Sequence, residues 1–195
     1  MPHIGIWLFE DFEELDAVGP WEVLAFWTLQ HPDDGWSVST FGTDGEPVRA
    51  AKGMRVLPDH SLDTLPPLDV LLTPGGRGTR PLLRDEVQLD RVRAQRASVP
   101  LLTSVCTGSL VYAAAGLLRG RPATTHHENV DELIGIDPTI RPQREARFVD
   151  DGDIITAAGV SAGIDMALHL VARLSSVERA RQVRRGIQYD PEPPV

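Results

Sequence analysis

Cys106 is the only cysteine in this chain of 195 residues, and it stands between the apolar run 99–105 and a small-residue segment that starts with Thr107 and Gly108. We interpret this junction as a nucleophile elbow, a sharp turn that carries a side chain from the end of a strand to the carboxyl edge of a sheet. Backbone N–H groups that open the next helix would face the sulfur and favour its thiolate form. The pattern predicts a reactive thiol, although a lone cysteine is also typical of a small buried apolar side chain.

Glycines follow a second apolar run at 69–73, where Pro74, Gly75 and Gly76 end a predicted strand. An acyl- or carbonyl-type reaction at a thiolate needs hydrogen-bond donors aimed at the developing oxyanion. The N–H groups of Gly76 and Thr107 are the natural candidates, because both follow predicted neighbouring strands. A Gly-Gly pair alone is equally typical of an ordinary turn, so its weight comes from the elbow beside it.

A carboxyl group for acid–base chemistry is expected after the first predicted strand, where Glu13, Glu14 and Asp16 occur. Carboxylates at a helix start often only complement the helix dipole. Asp16 differs because it lies between Leu15 and the apolar segment 17–20. Such surroundings would desolvate the carboxyl and raise its pKa, which suits proton donation to a substrate. We expect Glu13 and Glu14 to be solvated.

Two histidines are adjacent at the end of a predicted short strand: His126 is the last residue of the segment 123–126, and His127 follows it. Neighbouring residues of a strand point to opposite faces, so at most one of the two can serve a given site. Their spacing fits none of the common metal signatures, and we predict no metal site. His126 is a candidate base or orienting group, whereas we expect His169 to pair with Asp165 four residues earlier on a helix.

The elements that must position these residues alternate between strand and helix. Short apolar runs predict strands, 3.6-residue periodicity predicts helices, and Asp151-Gly152 together with Lys52-Gly53 predicts two hairpins. The predicted strands are 4–9, 36–41, 69–73 and 101–105, the hairpins are 48–57 and 147–157, and the helices are 13–28, 81–97, 107–117, 128–134 and 159–174. We expect the first helix to restart or kink at Gly19-Pro20. Two strand–glycine turn–helix units in succession favour a parallel sheet.

Composition narrows the class of protein. The length fits one domain over 1–195 with a Pro-rich C-terminal tail at 188–195, and a single cysteine excludes a disulfide within the chain, as is typical of the cytoplasm. No apolar stretch is long enough for a membrane span and no secretion signal is visible, so we expect no membrane partner. With 28 acidic and 19 basic residues the net charge is −9, which disfavours nucleic-acid binding.

Five segments carry a resemblance to a known family. They are LLTPGG at 71–76, SVCTGS at 104–109, GLLRGR at 116–121, ATTH at 123–126 and AGVSAGID at 158–165. In order and spacing they are similar to the ThiJ/PfpI superfamily, which has a fold of the class I glutamine amidotransferase type. The resemblance implies a flavodoxin-like α/β sandwich with a mostly parallel central sheet and helices on both faces. It also implies a homodimer and a carboxylate that touches the elbow cysteine.

The resemblance also implies roles for the matching residues. Cys106 would be the nucleophile, and Asp16 the acid and base. Thr107 would support the site with its hydroxyl and amide, and Gly76, beside Gly75, would hold an oxyanion or position the substrate.

The segment LDAVGPWEVL at 15–24 and the Cys-Thr-Gly-Ser turn are most similar to the isonitrile hydratase branch and to the N-terminal domains of certain AraC-type regulators. The protease-like branch has a histidine directly after the cysteine and a glutamate in the first segment, where this chain has Thr107 and Asp16. That difference disfavours peptidase and glyoxalase-type activities.

Three functional hypotheses remain open at this point. The first is a cofactor-free hydratase that converts an isonitrile and water into an N-substituted formamide through Cys106 and Asp16. The second is a thiol enzyme that acts on small reactive carbonyls with His126 as a base. The third is a non-enzymatic dimer that senses a ligand or the oxidation of Cys106.

Overall fold

A computed structural model describes residues 1–190 of the chain. Residues 191–195, most of the predicted Pro-rich tail, lie outside the described part. The expected α/β architecture is confirmed: a mostly parallel seven-stranded sheet lies between two layers of helices.

The strands follow the apolar runs of the sequence. Their bounds are β1 His3–Trp7, β2 Ser37–Gly42, β3 Val48–Arg49, β4 Arg55–Val56, β5 His60–Ser61, β6 Val70–Thr73, β7 Leu101–Val105, β8 Pro122–Ala123, β9 Arg141–Pro142, β10 Phe148–Asp150 and β11 Ile154–Ala157. The main sheet has the order β10-β11-β7-β6-β1-β2-β5, with only β10 antiparallel to its neighbour. Both predicted hairpins are confirmed, as β3-β4 and β10-β11.

Helices cover the two faces of the sheet. Their bounds are α1 Glu14–Gln30, α2 Thr79–Leu82, α3 Glu86–Ser98, α4 Gly108–Ala114, α5 Val130–Ile136, α6 Ala162–Leu174 and α7 Val177–Gly186. Helices α1, α6 and α7 pack on one another in one layer, while α2 to α5 form the other. The central strands are therefore covered on both sides, and Ile4, Ile6, Leu72, Leu102 and Val105 are fully buried.

The strand order places a crevice where the chain changes direction across the sheet. From β1 the chain continues to β2 on one side, whereas β6 and β7 lie on the other. Ligands of open α/β sheets bind at the carboxyl ends of strands at such a switch point. The segments after β1, β6 and β7 contain Asp16, Gly75 and Cys106, and pairing of Thr73 with Ser104 brings the last two segments together.

The first helix differs from its prediction. Helix α1 runs unbroken through Pro20, so the expected restart there is wrong. Tight packing on α6 explains the continuity. A Cβ added at Gly19 would lie 3.1 Å from Ile164 Cγ1, and one added at Gly163 would lie 3.1 Å from Pro20 Cγ. The two helices meet on small residues, and their contact supports the segment that contains the proline.

The predicted helix 81–97 is in fact two helices, α2 and α3. Asp85 lies between them, and its carboxylate accepts hydrogen bonds from Val87 N at 3.0 Å and Gln88 N at 3.2 Å. This is an N-cap, which starts a new helix rather than continuing the old one.

Within residues 1–190, no helix has the length and apolar character needed to cross a bilayer.

Candidate active site

Cys106 occupies a strained turn between β7 and α4. Its φ is +56°, a left-handed conformation that costs a non-glycine residue on the order of 1–3 kcal/mol. Its N–H donates to Ala157 O at 3.1 Å and Ala158 O at 3.0 Å, and its carbonyl accepts from Ser109 Oγ at 3.0 Å and Thr125 Oγ1 at 2.9 Å. These bonds hold the strained backbone in place, which confirms the sharp strand-to-helix turn.

Asp16 lies in the first turn of α1 and is completely buried. Its Oδ2 accepts a hydrogen bond from Gly75 N at 2.9 Å, whereas Oδ1 has no partner among the described residues. Burial raises the pKa of Asp16 to about 7, because desolvation disfavours the charged form, and the nearby Glu13 charge adds to the rise. The carboxyl can therefore both accept and release a proton near neutral pH, as its apolar neighbours predicted.

The glycine turn after β6 packs directly on Asp16 and Thr107. Gly76 N, one of the two amides predicted to face an oxyanion, donates to Thr107 Oγ1 at 3.0 Å, and the Gly75 amide beside it donates to Asp16, so both already have partners within the protein. A Cβ at Gly75 would lie 2.6 Å from Thr107 N and 2.8 Å from Asp16 Oδ2. The main observed role of this turn is to hold the carboxyl and the hydroxyl in place.

The surroundings of Cys106 favour the protonated thiol over the thiolate. Burial, first of all, and the Asp16 charge raise the pKa of the thiol to about 12, although the Thr107 amide and hydroxyl act to lower it. The amide that opens the next helix favours the thiolate, as expected, but burial and the Asp16 charge outweigh it. Asp16 and Cys106 are near enough to change each other's pKa, yet no hydrogen bond of ordinary geometry joins Asp16 Oδ1 to Cys106 Sγ. A reaction at the sulfur must remove its proton as the new bond forms.

A cavity of about 490 Å³ opens over Cys106, which is 6% exposed. It is lined by Glu13, Ala51, Lys52, Gly76, Arg77, Arg80, Cys106, Thr107, His126, Glu128, Asn129 and Val160. Four of the predicted site residues, Cys106, Thr107, Gly76 and His126, thus face one space. Asp16 and Gly75 do not line the cavity, and Asp16 lies fully buried beside the cysteine that does.

His126 lines the cavity, but the strand that was expected to carry it ends earlier, at Ala123. His126 instead precedes a short 3₁₀ helix at His127–Asn129, and its Nδ1 accepts from Glu128 N at 3.3 Å. The argument that adjacent strand residues point to opposite faces is therefore wrong here, since the His126 and His127 rings lie 4.4 Å apart. Burial and then His127 lower the pKa of His126, which favours the neutral ring.

Glu13 and Glu14 are only partly solvated and form ion pairs, which the sequence did not predict. Their side chains are only 20% and 17% exposed, and both pair with Lys52 from the β3-β4 hairpin. A charge pattern within one segment could not reveal this, because Lys52 lies 38 and 39 residues away along the chain. Arg77 and Arg80 also reach the cavity without having been predicted.

Outside the cavity, the predicted pair of His169 with Asp165 is wrong. His169 Nε2 lies 2.7 Å from Asp150 Oδ2, and Asp165 binds Arg147. In the described part of the chain, no group of three or more histidine, cysteine, aspartate or glutamate side chains is placed to hold a metal ion.

Comparison with known proteins gives matches over nearly the whole chain. The sequence profile of the DJ-1/PfpI family matches residues 2–173. Isonitrile hydratase from Pseudomonas putida is 42% identical over 193 residues, which cover 98% of this chain and 80% of that protein. The HTH-type transcriptional regulator GbdR of Pseudomonas aeruginosa is 30% identical over 96% of this chain, but only half of the regulator is covered.

Solved structures agree with the sequence matches. A crystal structure of a ThiJ/PfpI family protein from Pseudomonas syringae superimposes with a TM-score of 0.89 at 34% identity. The match covers all of this chain and 77% of the other. The expected resemblance is confirmed at the levels of sequence and fold.

Proposed function

The chain belongs to the DJ-1/PfpI family, and from that premise we propose that it is a cofactor-free hydratase that converts isonitriles into N-substituted formamides. The observation that carries the proposal is a thiol that lines the cavity and has a fully buried carboxyl, of pKa about 7, close enough to change its pKa. The similarity to an isonitrile hydratase at 42% identity supports the choice of substrate class.

In the first step, Cys106 Sγ attacks the terminal carbon of the isonitrile while Asp16 removes the thiol proton. Asp16 then gives this proton to the same carbon, so that the S–H bond is replaced by one S–C and one C–H bond. The product is a thioimidate, and no electrons are lost or gained. The transfer suits a carboxyl whose pKa lies near neutral, since it must act as base and acid in turn.

In the second step, water adds across the C=N bond of the thioimidate. Its oxygen bonds to carbon, and its protons pass to nitrogen and, through Asp16, to the departing sulfur. The C–S bond breaks, which releases the formamide and regenerates the thiol. Thr107 N–H faces Cys106 and stabilises charge on the sulfur as it attacks and as it leaves.

The direct test is to incubate the protein with an aryl isonitrile and follow formamide formation by absorbance. We expect turnover by the wild type, none by Cys106→Ala, and a loss of about 10²–10⁴-fold in kcat for Asp16→Asn. Asp63→Asn is the matched control, because Asp63 is exposed and does not line the cavity. An inactive wild type or an active Cys106→Ala variant would contradict the proposal.

A second candidate is a thiol enzyme acting on small reactive carbonyls. The specific observation in its favour is that His126 faces the same cavity as Cys106. This candidate predicts lactate formation from methylglyoxal that depends on both residues. Lactate formation that survives in His126→Ala would remove the role of the histidine.

We include a homodimer and a cytoplasmic location in the proposal. An apolar groove of about 350 Å³ between α1 and the β3-β4 hairpin supports an interface, since Val18, Met54 and Leu57 are exposed there. Light scattering in solution tests it: a mass of one chain at micromolar concentration would contradict the dimer.

A further inference from the structure

Three cationic side chains line the cavity above Cys106, and two of them are neutralised by the protein. Lys52 forms ion pairs with Glu13 and Glu14. Arg80 Nη2 lies 2.7 Å from Glu132 Oε2. In both cases a carboxylate of the protein already pairs with the cation and partly offsets its attraction for another anion.

Arg77 is different. No carboxylate of residues 1–190 lies within ion-pair distance of it, and its recorded polar contact is Nη2 to Ala51 O at 2.8 Å. A guanidinium has five N–H donors, so four remain for solvent or a ligand. Among the described residues that line the cavity, the one anion that forms no ion pair with a lysine or arginine is Glu128, whose side chain is 76% exposed and so is well screened by water.

The backbone on both sides of Arg77 is fixed. Gly76 has a φ of +115°, and Gly78 N donates to Asp11 O at 3.0 Å. A Cβ at Gly78 would overlap Glu10 O, so the chain can pass this point only with glycine. The hydrogen bond from the guanidinium to Ala51 O then holds the far end of the side chain beside another residue of the cavity lining. A cation held in this way loses little conformational entropy when an anion binds.

We propose that Arg77 is a specificity-determining residue that binds an anionic group, such as a carboxylate, on the substrate whose reactive end meets Cys106. The inference rests on the proposed function only for the reacting group of the substrate, the isonitrile. The anion site at Arg77 does not depend on which reaction Cys106 performs. Arginine suits a carboxylate because two parallel N–H donors match its two oxygens. Acidic isonitriles would therefore be preferred over neutral ones of the same size.

The first experiment uses the single cysteine as a reporter and needs no enzymatic turnover. Iodoacetate and iodoacetamide both alkylate a thiol: an S–C bond forms, the C–I bond breaks, iodide leaves and the thiol proton goes to solvent. They differ in charge, so the ratio of their rates at Cys106 measures attraction of an anion. Any change in the reactivity of the sulfur itself cancels in this ratio. Mass spectrometry gives both rates at fixed pH and low salt.

We expect Arg77→Gln to lower the iodoacetate-to-iodoacetamide ratio about three- to tenfold, and added salt to shrink the difference. Glutamine retains an amide donor for Ala51 O, and equal melting temperatures would show that the fold is unchanged. Arg91→Gln is the matched control, because Arg91 is exposed on α3 and does not line the cavity. An equal ratio in wild type and Arg77→Gln, or an equal fall in Arg91→Gln, would overturn the inference.

The second experiment compares phenyl isonitrile with its para-carboxylate. Preference of the wild type for the acid, lost in Arg77→Gln through a higher KM, supports the inference. Turnover of both compounds without preference overturns it and leaves the proposed function standing. If neither compound reacts but the alkylation ratio still depends on Arg77, the proposed function fails and the anion site is retained.

Discussion

Asp16→Asn changes the charge of a fully buried carboxyl while keeping its shape. In the folded protein burial raises the pKa of Asp16 from 3.8 to about 7, which corresponds to about 4 kcal/mol at 1.36 kcal/mol per pH unit. Because the folded state binds this proton more tightly than the unfolded state, the related stability is fully present below pH 3.8. It is lost as the pH rises through about 7.

The Asp16→Asn variant does not lose this stability as the pH rises, because asparagine does not ionise. Its amide oxygen can still accept from Gly75 N, but its NH₂ group would occupy the position of Oδ1, which has no partner among the described residues. An unsatisfied buried donor costs about 1–3 kcal/mol at every pH. The variant should therefore be less stable than the wild type near pH 4 and more stable near pH 8.

Urea denaturation at a series of pH values measures the difference. Between pH 4.5 and pH 8, the free energy of unfolding of Asp16→Asn should rise relative to wild type by about 3 kcal/mol, whatever the constant cost of the amide. Asp63→Asn should follow the wild-type curve, since that side chain is exposed. Parallel curves for Asp16→Asn and wild type would refute the assignment of a raised pKa, and with it the acid–base argument.

Three further predictions concern residues that hold the site and the surrounding helices in place. In urea denaturation, the free energy of unfolding of Cys106→Gly should be about 1 kcal/mol higher than that of Cys106→Ala, because glycine adopts the φ of +56° without strain. A lower value for Cys106→Gly would show that the turn is relaxed. Gly75→Ala should reduce turnover at least tenfold, since its Cβ would lie 2.8 Å from Asp16 Oδ2, while Gly135→Ala, in open space on α5, should leave turnover unchanged. Asp34→Ala should lower the free energy of unfolding by about 1–3 kcal/mol, because Asp34 accepts from Arg179 and from Trp27 Nε1; a loss below about 0.5 kcal/mol would count against this network.

Local patterns in the sequence were enough to predict most of the strands and helices that position the site. The apolar runs at 4–9, 69–73 and 101–105 predict β1, β6 and β7, because a strand covered on both faces needs an unbroken set of apolar residues. The position of Cys106 after such a run predicts the turn. The apolar neighbours of Asp16 predict its burial and the direction of its pKa, since an apolar segment of this kind is drawn into the core and desolvates the carboxyl.

The sequence alone misjudged what depends on distant segments meeting. It could not place Lys52 against Glu13, because the hairpin that carries the lysine folds over the cavity from 39 residues away. It assigned His169 to a neighbour on its own helix, whereas tertiary packing brings Asp150 to the ring. Side-chain partners of this kind are set by how elements pack, which local periodicity does not contain.

For this protein, the sequence by itself determined the alternation of strands and helices, the turn at Cys106 and the burial of Asp16. Only the tertiary structure decided that the surroundings of Cys106 favour the protonated thiol and that the Gly75 and Gly76 amides are already used within the protein. It also decided that Arg77 faces the cavity without a carboxylate partner within residues 1–190. The physical reason is that pKa values and free hydrogen-bonding capacity depend on the sum of all nearby charges, dipoles and solvent, which come from segments far apart in the chain.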